Sequence, residues 1–497
     1  TNQRAVLTFN GTSWVRVDSL NIDGTGGTYG WGIQNFSGAH HIHISNSTID
    51  VGVQNTSTFF SGIVNSGSRT SPTTSGGSMH DILIDNCTII GGYYGITSYG
   101  NTSSPDQYNF AVTNCTIEDA YAYSTYFQYT DSVIIANNDI SRPNKTSVTT
   151  FYGVYVGTSC EKVLVNANAI HNSHGSATSL TGTSYPIYIS SDAVSGAENL
   201  VSNNLIYDIN SNGTIYGIYD LGANYTSHIN NTISLDHATS TGGTTRGIYQ
   251  SSASTNSSFI NNIISITRGG SSTMHGIYLN SAATSMIVDY NDVYINNPSA
   301  TTYYGYYGGN EATLLDWQTN TPNGANSYDV DPKFVNLAIF DLTPSQGLIN
   351  NVGFANAIVT SDYFGTARAS VPDLGAIEFT PPASENLGIT NFIEPTINAD
   401  SCYGANEDVI VELINAGGVA LDFATTPATI SVTVSGVSTQ SISTTINNNS
   451  ANGGNPLPIG ATINLNVGSI NMTVAGNYEL NGQITMTADT FPNNDTL

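Results

Sequence analysis

The sequence predicts an all-β protein in which a parallel β-helix is followed by a β-sandwich. Two short segments of alternating apolar and polar residues recur about every 30 residues over roughly the first 300 positions. Alternation has a period of two, which fits strands and excludes helical repeats. One such unit cannot bury its apolar face alone, whereas units stacked in register can. Beyond residue 384 this period ends and longer alternating segments replace it, which predicts a second all-β domain.

The first repeated segment has the form aliphatic-x-aliphatic-x-Asn-x-x-Ile. We expect its aliphatic side chains, among them Ile44, Ile84, Val112 and Ile135, to stack inside a narrow core. The Asn tolerates a left-handed backbone and so suits a sharp corner between strands. The complete and weaker copies of this corner are anchored at Ser19, Asn46, Asn86, Asn114, Asn137, Ala167, Asn203, Asn230, Asn261 and Asn291.

The second repeated segment reads Gly-aliphatic-Tyr. If the aliphatic residue faces the core, the tyrosine after it faces outward. The tyrosines predicted to share this outward column are Tyr155, Tyr188, Tyr219, Tyr249, Tyr278 and Tyr307. An outward row of rings could stack on the sugars of a glycan. Alternatively, the rings stack on one another and only stiffen the rod.

A further column follows each anchor residue. It contains Asn138, Asn168, Asn204, Asn231 and Asn262, with Cys87 and Cys115 replacing Asn in two successive units. These two thiols would lie within reach of a disulfide. Because side chains in register point the same way, we expect a reduced, stacked pair.

The charge balance excludes several classes of partner. Lys+Arg is 10 against Asp+Glu 36, a formal net charge of -26, whereas nucleic acids and anionic membranes are bound by clustered basic residues. No apolar run approaches the roughly 18 residues of a membrane span. The first residues lack the features of a signal peptide, so we expect the chain to begin within a mature or longer protein.

Together these motifs resemble the rung signature of right-handed parallel β-helix proteins of the pectate-lyase-like superfamily, over roughly residues 5–380. A short predicted helix at 310–318, with Asn310 as its N-cap, and the segments 331–334 and 373–378 are similar to the closing segment of many secreted bacterial β-helix proteins. The resemblance implies a β-helix at 1–309, a cap at 310–380 that protects its open edge, and a secreted or cell-surface location.

After a predicted linker at 381–384, a β-sandwich is expected at 385–497. Residues 407–417 resemble adhesion-type Ig-like modules, which occur in tandem on bacterial surface proteins. The resemblance implies an Ig-like sandwich that the chain's end truncates, and further domains of the same longer chain as its partners. With the scarce lysine and plentiful asparagine, it also implies a surface protein of Bacteroidetes type, exported by type IX secretion.

The superfamily is rich in polysaccharide lyases and hydrolases, so an enzyme is the alternative hypothesis. A lyase needs a base and a cation that neutralises the uronate carboxylate. The best candidates are Tyr216, Arg246 and His275, which precede glycine in three successive units. Elsewhere this column holds other bulky residues, namely Trp31, Tyr94, Tyr152, Tyr185 and Tyr304. We therefore favour packing at the rung edge over catalysis. Arg142 and Lys145 lie close in sequence without a carboxylate cluster beside them.

Metal ions and modifications have weaker signals. His40, His41 and His43 are close in sequence, but we favour solvated imidazoles over a surface metal site. We expect no cofactor; Ca²⁺ at loop carboxylates is compatible with the acidic charge. Asp-Ser/Thr-aliphatic triplets at Ser19, Ser132 and Thr496 resemble the O-glycosylation signal of Bacteroidetes.

The leading hypothesis is a non-catalytic extracellular surface or adhesin segment, a rigid β-helix stalk that binds a neutral or weakly charged glycan. The alternative is a polysaccharide lyase or hydrolase. The scarcity of basic residues and the missing pair of acidic residues favour the first.

Overall fold

The computed structural model describes residues 3–102, 107–177, 179–281, 285–381, 385–396, 403–489 and 494–497. The chain forms two compact units, one of residues 1–343 and 351–378, the other of residues 344–350 and 379–497. Regular structure is almost entirely β, as the sequence predicted. The described helices are α1 (Leu314–Asn320) and three 3-10 turns, Leu337–Ile339, Gly347–Ile349 and Ser450–Asn452. None of them is long and apolar enough to span a bilayer. Most of the predicted linker, and Cys402, lie outside the described residues.

The first unit is a parallel β-solenoid of about ten turns, in which every third strand along the chain pairs in the same sheet. The first sheet contains, in spatial order, β1 (Ala5–Asn10), β4 (Gly30–Phe36), β7 (Phe60–Asn65), β10 (Tyr94–Tyr99), β13 (Tyr123–Gln128), β16 (Phe151–Val156), β19 (Ser184–Ile189), β22 (Ile215–Asp220), β25 (Thr245–Gln250), β28 (Met274–Leu279), β31 (Thr302–Tyr307) and the antiparallel β32 (Asn310–Glu311). The second sheet contains β2 (Ser13–Asp18), β5 (His40–Ser45), β8 (His80–Asp85), β11 (Gln107–Thr113), β14 (Thr130–Ala136), β17 (Leu164–Asn166), β20 (Asn199–Ser202), β23 (Thr226–Ile229), β26 (Ser258–Ile260) and β29 (Ile287–Asp289). The third sheet contains β3 (Asn21–Asp23), β6 (Thr48–Asp50), β9 (Thr88–Ile90), β12 (Thr116–Glu118), β15 (Asp139–Ser141), β18 (Ala169–Ile170), β21 (Leu205–Ile206), β24 (Thr232–Leu235), β27 (Ile263–Ile266) and β30 (Asp292–Ile295).

The core is the predicted one. Ile44, Ile84, Val112 and Ile135 are fully buried and follow one another in register across the second sheet. This register confirms that the repeats form one continuous solenoid.

The anchor residues adopt the predicted left-handed conformation at the corner between the second and third sheets. Positive φ values of 49–58° occur at Ser19, Asn46, Asn86, Asn114, Asn137, Ala167, Asn203, Asn230, Asn261 and Tyr290. The prediction was wrong at the last rung, where the corner is Tyr290 and not Asn291. Asn291 belongs to the interior column, since it accepts a hydrogen bond from Asn262 at 2.9 Å.

The interior column is a buried asparagine ladder. From Asn138 through Asn168, Asn204, Asn231 and Asn262 to Asn291, each Nδ2 donates to the next Oδ1 at 2.9–3.0 Å. The backbone N–H of Cys115 donates to Asn138 Oδ1, and that of Cys87 donates to Cys115 Sγ. Both cysteines are buried and free, as expected for a stacked pair. The ladder thus satisfies polar backbone groups that the narrow core would otherwise leave unpaired.

The last rung is closed by β32 and helix α1. Thr313, and not the predicted Asn310, is the N-cap of α1, because Thr313 and Asp316 form a reciprocal capping box. Trp317 of this helix is fully buried against Tyr304. Residues 351–378 belong to the same compact unit. They lie along the side of the solenoid against three anchor residues, Asn203, Asn230 and Asn261.

The second unit contains two three-stranded antiparallel sheets. One contains β33 (Leu387–Glu394), β34 (Glu407–Asn415) and β37 (Thr462–Ile470), and the other β36 (Gln440–Ile446), β35 (Ala428–Gly436) and β38 (Tyr478–Met486). Inward residues of both sheets, including Val411 and Val432, contribute to one hydrophobic core. The alternating segments beyond residue 384 that predicted these strands, 409–413, 430–434, 463–467 and 478–480, all fall within them.

Candidate functional site

The outer face of the first sheet carries two adjacent columns of side chains, nearly all of them aromatic. The first column has one residue on each first-sheet strand from β10 to β31, and the second has one on each first-sheet strand from β13 to β31. Together they form what we call the tyrosine face. The first column contains Tyr94, Tyr123, Tyr152, Tyr185, Tyr216, Arg246, His275 and Tyr303, and the second contains Tyr126, Tyr155, Tyr188, Tyr219, Tyr249, Tyr278 and Tyr306. The face therefore gathers 13 of the 29 tyrosines.

Two residues three positions apart face outward on each strand because a buried residue, usually glycine, interrupts the alternation between them. At Gly217 an added Cβ would lie 2.6 Å from the Gly247 carbonyl oxygen and 2.8 Å from Ile233 Cγ2. The repeated glycine thus suits the close approach of the third sheet to the first at this position. It leaves the flanking Tyr216 and Tyr219 on the same outer face.

The rings form a herringbone. Within the second column, Tyr126, Tyr155, Tyr188 and Tyr219 stack with centroids 4.8 Å apart and planes 3–11° from parallel. Between columns the rings meet edge to face, as Tyr152 and Tyr155 do at 90°. An inner ring such as Tyr155 has neighbours on both faces, so a ligand meets ring edges and hydroxyl groups. Of the two arrangements left open by the sequence, mutual stacking of the rings is the one observed.

The register corrects two predicted members of these columns. Tyr307 pairs with Leu279, whereas Tyr306 pairs with Tyr278 and stacks on it at 4.2 Å. Tyr304 is buried, and Tyr303 continues the column of His275. Gly305 pairs with Ile277, so this rung is shifted by one residue, and such a shift exchanges the two faces of a strand.

Burial raises the pKa of several phenol groups of the tyrosine face. Burial raises the pKa of Tyr185 to about 12, and it likewise raises the pKa values of Tyr155, Tyr188 and Tyr219. The Tyr219 hydroxyl donates to Ser251 Oγ at 3.0 Å. These four tyrosines consequently offer uncharged hydroxyl groups at physiological pH.

One cation interrupts the tyrosine face. The Arg246 guanidinium lies 3.7 Å from the Tyr278 ring centroid and 4.1 Å from that of Tyr249, and its Nε has no hydrogen-bond partner among the described residues. Here the Tyr249 ring turns perpendicular to both Tyr219 and Tyr278. A guanidinium held by aromatic rings keeps its charge and several free donors.

His275 follows Arg246 on the next strand, so the structure brings together the predicted trio of Tyr216, Arg246 and His275. Its Nε2 donates to Asn310 Oδ1 at 2.9 Å. In the neutral ring Nδ1 then carries a lone pair, and it has no hydrogen-bond partner among the described residues. Burial lowers the pKa of His275, so the ring is a neutral base. It is only 4% exposed.

Arg142 and Lys145 form no site. Arg142 is fully buried and donates to the carbonyl groups of Ser173, Tyr121 and Thr149. Lys145 donates to the carbonyl of Asn55 at 2.9 Å. These two cations satisfy turn carbonyls inside the rod and cannot reach a substrate.

The predicted histidine cluster is regrouped by the fold. His41 lies near His80 and Asp81 of the next strand, and the ligand atoms of these three residues lie within 4.8 Å of one another. His43 pairs in register with Leu83 and is not part of that group. Of the three residues predicted to be glycosylated, Ser19 and Thr496 are exposed and Ser132 is half-buried.

Sequence reasoning missed half of the tyrosine face. Tyr123 and Tyr126 were outside the recognised motif, because Ser124 replaces its glycine, and Tyr94, Tyr152 and Tyr185 were assigned to packing at the rung edge. A Tyr-x-x-Tyr spacing repeats in four successive units and would have revealed both columns. His80 and Asp81 were missed since the chain places them about 40 residues after His41.

No protein-family model matches the chain, and no curated protein does. Among solved structures, the chain is similar to pectate lyase Pel9A, with TM-score 0.33 and 11% identity over 71% of this chain and 89% of that one. It is also similar to a tailspike protein of Pseudomonas phage LKA1, with TM-score 0.29 and 11% identity over 94% of this chain and 65% of that one. A third is a tailspike of Acinetobacter baumannii bacteriophage Fri1, a capsular polysaccharide depolymerase, with TM-score 0.25 and 13% identity over 97% and 71%.

Proposed function

We propose that this chain is a non-catalytic, glycan-binding segment of an extracellular surface protein, and that the tyrosine face is its binding surface. The observation that carries the proposal is an array of 13 tyrosines in two columns along one side of the solenoid, nearly all of them half-buried. Tyrosine is favoured where one end of a side chain is apolar and the other meets a wet partner. Large contiguous apolar patches on protein surfaces mark interaction sites or ligand-binding grooves.

The mode of binding follows from the stacked rings. Since the ring faces contact one another, a ligand forms hydrogen bonds with the hydroxyl groups at the ring edges. A polyol such as a sugar is suited to such bonds. Each such bond contributes about 1 kcal/mol net, so one sugar unit is held weakly. A rod that repeats the same groups on every rung suits a repeating polymer, and many weak contacts add through avidity.

The charge favours a neutral or weakly charged glycan. A net charge of -26 repels polyanions, although this repulsion is screened over about 8 Å at physiological salt. Arg246 is the one cation on the tyrosine face, and it can accept an occasional acidic group without making the face basic.

The other domain and location hypotheses form part of the same proposal. We infer a right-handed β-helix at 1–309, a cap at 310–380 and an Ig-like module at 385–497 that joins further domains of a longer surface protein. Support comes from the parallel solenoid and from the shared core of the two small sheets. The Bacteroidetes type, type IX secretion and the adhesin role rest on the sequence resemblance.

A polysaccharide lyase or hydrolase is the second candidate. One observation favours it: Tyr216, Arg246 and His275 lie on adjacent strands, and His275 is a neutral base with a free Nδ1. Against it, His275 is buried, and no acidic side chain belongs to the tyrosine face.

One experiment separates the two candidates. The full chain is applied to an array of neutral and uronate-containing polysaccharides, and the same polymers in solution are assayed for reducing ends and unsaturated uronates. Binding without product supports the proposal. Product formation that is lost in His275→Gln supports the enzyme, and absence of binding to any polymer contradicts both.

A further inference from the structure

A compact group of metal-ligating side chains lies on the outer face of the second sheet, on a different sheet from the tyrosine face. The His41 Nε2 atom lies 3.7 Å from Asp81 Oδ2, and the His80 Nδ1 atom lies 2.7 Å from the same oxygen. The three side chains are 25–34% exposed, so an ion can reach them from solvent. Two imidazoles and one carboxylate are ligands that zinc, copper and nickel accept.

The backbone explains why these residues meet. His40 pairs with His80 and Ile42 with Ile82, so His41 and Asp81 are the unpaired residues between two register pairs. Both adopt a left-handed conformation, with φ of 52° and 54°. They therefore occupy the same bulge in adjacent strands and project side by side.

Residues at the same bulge position in the two neighbouring strands hold His41 and Asp81 in place. Trp14, with φ of 60°, stacks on His41 with centroids 3.9 Å apart. Asn109, with φ of 57°, donates from Nδ2 to Asp81 Oδ1 at 2.9 Å. That bond occupies one carboxylate oxygen and leaves Oδ2 directed at the two imidazoles. Outer contacts of this kind orient metal ligands in known sites.

The second imidazole is clamped as well. The His80 ring stacks on Tyr108 at 4.8 Å with planes 6° apart, and on His40 at 4.7 Å. Its orientation is thus fixed without an ion.

We propose that His41, His80 and Asp81 bind one divalent transition-metal ion. Ligand bonds of about 2.1 Å in a tetrahedral site place ligand atoms roughly 3.4 Å apart, and the observed 3.7 and 2.7 Å lie on either side of this value. The ion takes the place of the proton between His80 Nδ1 and Asp81 Oδ2. Three protein ligands leave a position open to water or to a donor atom from a partner.

The test is calorimetric titration of the untagged full chain with ZnCl₂ in a buffer that does not bind metals. We expect one ion per chain with a micromolar dissociation constant. His80→Phe keeps the ring stack and removes the ligand, and Asp81→Asn keeps the acceptor for Asn109; each should weaken binding at least tenfold. The matched control is His171→Phe. His171 also stacks on a tyrosine and contacts a carboxylate, Asp139 at 3.1 Å, without a second imidazole.

A second readout uses Trp14. This side chain is 75% exposed and stacked on His41, whereas Trp31 and Trp317 are buried. CuCl₂ should quench Trp14 fluorescence with saturation at one equivalent, and His80→Phe should abolish that step. Titrations without saturable binding, or equal affinities in wild type, His80→Phe and Asp81→Asn, would overturn the proposal. An equal loss in His171→Phe would also overturn it.

Discussion

Replacing Asn204 by alanine tests how much the buried asparagine ladder stabilises the solenoid. Its Nδ2 donates to Asn231 Oδ1 at 2.9 Å and to the Val165 carbonyl at 3.0 Å. Its Oδ1 accepts from the backbone N–H and from the Nδ2 of Asn168, at 3.1 and 2.9 Å. The substitution removes all four hydrogen bonds in a core from which water is excluded.

The magnitude follows from those bonds. The Asn168 N–H loses its acceptor, which costs about 1–3 kcal/mol for a buried group, and the other three bonds contribute about 1 kcal/mol each. We therefore expect Asn204→Ala to lower the free energy of unfolding by about 4–6 kcal/mol. Asn280→Ala is the control, because Asn280 is exposed and makes one side-chain bond, to the Ser251 carbonyl. Its cost should stay below about 1 kcal/mol.

The assay is urea denaturation of the full chain followed by far-UV circular dichroism. A large drop in midpoint for Asn204→Ala and a small one for Asn280→Ala are expected. Equal small changes in the two variants would refute the view that the ladder holds the rungs together.

Three further predictions concern stability. Burial lowers the pKa of His174 to about 3, whereas a histidine in the unfolded chain binds a proton below about pH 6.5. Protonation therefore favours the unfolded state as the pH falls, and the wild type should lose about 2 kcal/mol of its free energy of unfolding between pH 7 and pH 5. His174→Gln should lose correspondingly less over this range, as measured by urea denaturation. An unchanged pH slope would contradict this. Burial raises the pKa of Asp292 well above its usual value, so stability falls as pH rises. Asp292→Asn should raise the melting temperature at pH 7 and lose that advantage toward pH 4; a lower melting temperature at pH 7 would be the opposite result. Gly217→Ala places a methyl group 2.6 Å from a carbonyl oxygen and should cost about 1–3 kcal/mol. Gly26→Ala, which meets no atom within 4 Å, should be nearly neutral, and equal effects would remove the steric explanation.

The solenoid could be predicted because each of its columns has a local cause. Asparagine marks the left-handed corner at Asn46 and its successors, glycine marks the close approach of two sheets, and aliphatic residues mark the core. These requirements act on single residues at a fixed spacing, so they are visible in the sequence. The last rung was misassigned at Tyr290 and Tyr306, since the chain there shifts by one residue and no local signal records the shift.

The candidate sites could be predicted only in part. Outward orientation of Tyr155 and Tyr188 follows from strand alternation, but the mutual stacking of their rings depends on side-chain rotation, which the sequence does not record. The group of His41, His80 and Asp81 depends on pairing between strands about 40 residues apart and on a bulge shared by both. A motif within one segment, such as the three neighbouring histidines, pointed to the right strand and to the wrong partners.

Glycan binding by the hydroxyl edges of the tyrosine face is tested by the affinity of a Tyr155→Phe, Tyr188→Phe and Tyr219→Phe triple variant. Phenylalanine keeps the ring stack and removes three hydroxyl groups. At about 1 kcal/mol for each lost bond, calorimetric titration with a polymer that the wild type binds should show a roughly 100-fold weaker interaction. The melting temperature should be nearly unchanged, and Tyr29→Phe, an exposed tyrosine outside the face, should bind as the wild type does. Full affinity in the triple variant would show that these hydroxyl groups do not bind the glycan and would leave the tyrosines as a purely structural stack.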